Sequence, residues 1–125
     1  MNMTPAEFLY LAHTVLELIL GMLKLRGRYA HEAGRAVRPE RDRMYVRHHG
    51  FSLLALAQLG GIVWWRSATA TELGAVASIV LATFHGGAVL AFAYTFSLGA
   101  VDLKKVFIPH APFAVAFALH VNGHL

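Results

Sequence analysis

The chain has 125 residues, of which 57% are hydrophobic and only 14% charged, and its mean hydropathy is +0.52. A soluble domain covers its surface with about a quarter charged residues, so this composition points to a lipid environment. Cysteine is absent, which excludes disulfides, thiolate ligands and a cysteine nucleophile. The pI near 9.9 comes from charges that flank apolar segments, and no aromatic-basic interleaving accompanies them, so no nucleic-acid partner is expected.

Thr4, Pro5 and Glu7 form a helix-start pattern, with an N-cap, a proline at the first helical position and an acid three residues after the cap. The first helix is expected over about 5–25, long enough for the roughly 20 residues of a membrane span. MNMTPAEF has no basic n-region, so this helix reads as retained rather than as a removed signal peptide. Tyr10, His13, Glu17, Gly21, Lys24 and Arg28 recur along one stripe at the helical period. A carboxylate at membrane depth is costly and is a functional candidate by default. His13 and Glu17 stand four residues apart, on one face. The simpler reading is a polar pair that only holds helices together.

A long basic connection follows, over 26–48. From Lys24 to Arg47 it carries eight Lys and Arg against three acids. Gly34 and Pro39 are expected to interrupt any continuous helix there. The second span is expected over 49–65 and ends in Trp64 and Trp65, which suit an interface belt. Arg66–Thr71 is a short loop. The third span is expected over 72–96, where Gly74, Ser78, Ala82 and Gly86 make a ridge of small residues that lets a helix approach closely. Lys104 and Lys105 mark the next connection, and a fourth, shorter helix is expected over about 107–124, starting near Pro109.

Of the 11 Lys and Arg, only Arg66 lies outside the first and third connections. The positive-inside rule then puts those two connections in the cytoplasm and both termini on the other side. The expected fold is an all-α, integral membrane four-helix bundle in a single domain. Its expected location is a bacterial inner membrane, with the lipid bilayer as partner and a homo-oligomer or larger membrane complex as its assembly.

Eight histidines are many for so apolar a chain. His13, His85 and His120 fall inside the spans. Counting about 1.5 Å per residue, Glu17, His85 and Gln58 come out near mid-depth. Polar groups at such depth avoid lipid, so they are expected to converge. Haem b or a transition metal ion then fits, because neutral imidazole is a common ligand and a carboxylate orients the ring. His13, His85 and His120 are the candidate ligands, Gln58 a further cofactor contact, and Glu17 a ligand, orienter or catalytic group. No C-x-x-C-H or H-E-x-x-H motif is present. For each histidine alone a hydrogen-bonded structural role is the simpler reading.

Other readings stay open. Glu17 in the first of four short helices resembles the small multidrug resistance transporters, which implies proton exchange for a lipophilic cation; the basic first connection departs from their short, weakly charged loops. Four spans, a basic first connection and Arg47-His48-His49-Gly50 opening the second helix are similar to the membrane-associated eicosanoid and glutathione metabolism proteins. That resemblance implies a transferase or isomerase acting on a lipophilic substrate. The family's Asn and Glu on the second helix are missing here, where the matching turns read Phe51-Ser52-Leu53-Leu54-Ala55. Arg43, Arg47, His48, His49 and His110 are expected at one leaflet, where they could hold an anionic head group or substrate; the simpler reading is a lipid-contacting rim. A non-catalytic accessory subunit of a membrane complex needs none of this chemistry.

Overall fold

The computed structural model describes residues 3–26, 39–97 and 103–125, with the side chains at 39–43, 45, 92, 95–97 and 103–109 outside that description. The described residues form four α-helices and no strand. These are α1 (Pro5–Leu25), α2 (Pro39–Trp65), α3 (Glu72–Ser97) and α4 (Leu103–Val121). The helix α1 and the stretch Glu72–Ala91 of α3 are long and apolar enough to cross a membrane, and His110–Val121 is a shorter apolar stretch.

Local chemistry sets the helix ends. At the start of α1 the Thr4 backbone N–H donates to Glu7 Oε2 at 2.8 Å, and the Glu7 N–H donates to Thr4 Oγ1 at 3.2 Å, a reciprocal capping box. The helix α2 ends in a Schellman motif: Ala68 N–H reaches the Val63 carbonyl and Ser67 N–H the Trp64 carbonyl. Ser67 takes the left-handed position, with φ 49°, that glycine usually fills. The end of α4 repeats the motif with Gly123 at φ 75°.

Two helix starts differ from expectation. Pro39 opens α2 instead of interrupting it, because its fixed φ and missing N–H suit the first helical position. The helix α4 begins at Leu103, ahead of Pro109. Arg28 and His31, with most of the basic connection, lie outside the described residues.

The chain divides into two compact units, Tyr10–Ile62 on one hand and Met1–Leu9 with Val63–Leu125 on the other. Within the first, α1 and α2 run antiparallel and nearly backbone to backbone. A Cβ added at Gly50 would stand 3.0 Å from the Gly21 carbonyl oxygen, and one at Gly60 would stand 2.8 Å from Thr14 Oγ1. Within the second, α3 and α4 form an antiparallel hairpin in which Ser78 meets His120 and His85 meets His110. The buried positions of α3 include Gly74, Ala77, Ser78, Leu81 and His85, one helical stripe.

The small-residue ridge of α3 serves two different purposes. A Cβ at Gly74 would strike the Ala68 and Thr69 carbonyl oxygens, so this glycine admits the preceding loop. Among the described residues, a Cβ at Gly86 would meet nothing within 4 Å.

Candidate functional site

In the unit Tyr10–Ile62, α1 presents the stripe expected from its sequence. Tyr10, His13, Glu17 and Gly21 are all buried, with His13 at 0% and Glu17 at 1% exposure. One helical turn separates the two ionisable groups and brings His13 Nε2 to 3.8 Å from Glu17 Oε1. That is too long for a hydrogen bond. It is close to the roughly 3.4 Å between two donors that share one tetrahedral transition ion. The next side chain, Thr14, buries its Oγ1 with no hydrogen-bond partner among the described residues. Gly60 on α2 makes room for this turn, since a Cβ there would stand 2.8 Å from Thr14 Oγ1 and 3.3 Å from His13 Nδ1.

In the second unit, the α3–α4 hairpin carries two polar pairs about two turns apart. Near the α2–α3 loop, Ser78 Oγ lies 2.8 Å from His120 Nδ1, and the Thr69 backbone also hydrogen-bonds the His120 ring. Farther along, His85 Nδ1 lies 2.9 Å from His110 Nδ1. The His85 ring is 1% exposed and stacks on Phe113 and Phe117, with centroids at 5.4 and 6.4 Å. Phe84 places its edge on both imidazoles. The two Nδ1 atoms share a hydrogen bond, one donating its N–H and the other accepting according to tautomer.

No protein-family model matches this chain, and neither the curated proteins nor the solved structures contain a match.

The other sequence candidates divide. His110, expected at one leaflet with the arginines, lies two turns into α4, which starts at Leu103, and hydrogen-bonds His85. Gln58, expected to face inward, is exposed, as are Arg47 and His48, while His49 is half-buried. Arg43 has its side chain outside the described residues. His124 is exposed. Sequence reasoning missed the His85–His110 pair and the Ser78–His120 pair, since each depends on the register of α3 against α4. The run Phe113-Ala-Val-Ala-Phe117 was the available signal, two aromatic rings one turn apart beside a histidine.

The chemistry these groups allow is narrow. His13 and Glu17 in the one unit and His85 in the other are each buried, and imidazole and carboxylate are donors that suit zinc, iron, copper or nickel.

Proposed function

We propose that this chain is an integral membrane protein that holds a transition metal ion, or the iron of haem b, on buried imidazoles. Its role is then redox chemistry or work on a lipophilic substrate. The observation that carries the reading is the His13–Glu17 chelate on α1, fully buried, with its donors 3.8 Å apart. Taking ionisable groups out of water costs several kcal/mol for each charge, and a cation held on this pair would offset part of that cost. The buried hydroxyl of Thr14 supports the same reading, because a ligand or ordered water at that turn would satisfy it.

Membrane residence is supported by where the polar groups lie. On α1 the buried side chains include Tyr10, His13 and Glu17, while Phe8, Val15, Leu18, Ile19 and Met22 are exposed. On α3, Ser78 and His85 are buried, while Val76, Ile79, Val80 and Leu90 are exposed. A soluble protein exposes its charges and buries its aliphatics. The core helix of a soluble protein also meets the length and hydropathy of a span but is mostly buried, whereas each of these two spans is 28% buried. With the basic connections in the cytoplasm, both termini fall on the opposite side.

Absorption spectroscopy of protein extracted from membranes tests the proposal. A Soret band lost in His85→Ala means haem; bound metal without a Soret band means a non-haem ion. A colourless protein that takes up no metal contradicts the proposal and leaves the transporter, transferase and accessory-subunit readings.

A further inference from the structure

We propose that the end of the α1–α2 pair where Gly21 crosses Gly50 binds the phosphate of an anionic phospholipid, held by Arg26 and Arg47 with Lys24 and His48 beside them. This site rests on the membrane reading above and is independent of any metal. The rim expected from sequence changes its members. Lys24 and Arg26 of α1 join it, and His110, which hydrogen-bonds His85 in the other unit, leaves it.

The glycine crossing fixes the levels. A Cβ added at Gly50 would stand 3.2 Å from both the Lys24 Cβ and the Leu25 nitrogen, so Lys24 and Gly50 share one level along the antiparallel pair. Arg26 continues the last turn of α1, its N–H donating to the Met22 carbonyl. At 1.5 Å per residue it lies about 3 Å outward of Lys24, and Arg47 lies about 4.5 Å outward of Gly50. The two arginines come from different helices and end within about 2 Å of the same depth.

The charge at this level is uncompensated. Arg26, Arg47 and His48 are exposed and Lys24 is half-buried. Among the described side chains of Tyr10–Ile62 the acid is Glu17, buried two turns inward along α1, where it attracts Lys24. Glu17 is about 13 Å along the helix from Arg26, beyond the roughly 10 Å at which 0.1 M salt screens exposed charges. In the sequence, residues 40–43 read Glu-Arg-Asp-Arg, two acids against two arginines, and 27–38 carry three arginines against one acid. Neither stretch supplies the missing negative charge.

The neighbours of the arginines select the anion. One turn inward from Arg26 is Met22, and one turn inward from Arg47 is Phe51; both are exposed. A ligand that meets guanidinium groups at one depth and apolar side chains a turn below carries a phosphate and hydrocarbon together. Guanidinium forks match phosphate oxygens, and arginine stems lie along apolar surface while their heads stay in water.

Native mass spectrometry of the full chain, released from bilayers of equal phosphatidylglycerol and phosphatidylcholine, tests the site. Wild type is expected to retain phosphatidylglycerol in preference. Arg26→Gln and Arg47→Gln should each lower that preference about five-fold, the loss of one cation beside an anionic surface. Arg47→Lys should keep most of it, because an ammonium still holds phosphate as a point charge. Arg66→Gln makes the same charge change at an exposed position beyond the other end of α2 and should leave the preference unchanged. Equal retention of the two lipids by wild type, or an equal loss in Arg66→Gln, overturns the inference. Displacement of the lipid by inorganic phosphate at equal concentration makes a soluble phosphate the ligand and overturns it too. A chain that stays in solution with neither detergent nor lipid removes the membrane reading together with this site, whereas a chain held in the bilayer without lipid preference removes the site alone.

Discussion

Gly21 on α1 and Gly50 on α2 meet so closely that a Cβ on either would stand 3.0 Å from the carbonyl oxygen of the other. Gly50 has no flexible neighbour to yield, since its next contacts are the Leu25 nitrogen and the Lys24 Cβ at 3.2 Å. Gly21 also faces the Leu54 side chain at 2.9 Å. The crossing holds α1 in the rotation that keeps His13 and Glu17 turned inward, so a packing feature positions the candidate ligands.

Alanine at either of these glycines should destabilise the protein by about 1–3 kcal/mol, the usual cost of overpacking. The same substitution at Gly86 or Gly87 meets nothing within 4 Å among the described residues and should stabilise α3 by roughly 0.5–1 kcal/mol through helix propensity. Thermal unfolding of the four variants in detergent checks the opposite signs. Equal effects at all four positions would contradict the α1–α2 contact.

Gly60 and Gly61 are neighbours with different surroundings. A Cβ at Gly60 would press on Thr14 Oγ1 and His13 Nδ1, whereas one at Gly61 would touch the Thr14 methyl at 3.4 Å. Gly60→Ala should therefore weaken metal uptake by displacing the His13 ring, and Gly61→Ala should leave it intact. Metal affinity measured alongside helicity by circular dichroism separates a displaced ligand from a lost fold.

Ser78→Ala removes the partner of His120 Nδ1 in a partly buried setting. The expected cost is about 1–3 kcal/mol, that of an unsatisfied buried polar group, with no effect on metal binding. A variant that keeps its stability but loses metal would show that Ser78 and His120 belong to the site after all.

The α1 stripe was legible because two facts agree on one helix: the 3.6-residue period and the cost of an acid at membrane depth. The capping box at Thr4 and Glu7 was legible because it is local in sequence. The start of α2 was not, because Pro39 can end one helix or open another, and the charges around it resemble a loop; Glu40 immediately after it is the acid that favours a helix start. At α4, Pro109 was the plainer start signal, although Asp102 is an N-cap residue type just ahead of Leu103 in the sequence. The gap between the expected start at 107–109 and Leu103, with the register it implies, hid the meeting of His110 with His85. Gln58 misled for another reason: mid-depth says nothing of which face a residue occupies, and the period places it off the Leu53–Ala57–Gly60 face that is buried.

The central claim is that buried imidazoles hold a metal, and the metal-to-protein ratio of chain extracted from membranes in its native lipid tests it most directly. The account predicts a stoichiometric transition metal that falls sharply in His13→Ala and survives in His124→Ala, whose histidine is exposed. A metal-free wild type, or metal lost equally from both variants, would contradict it.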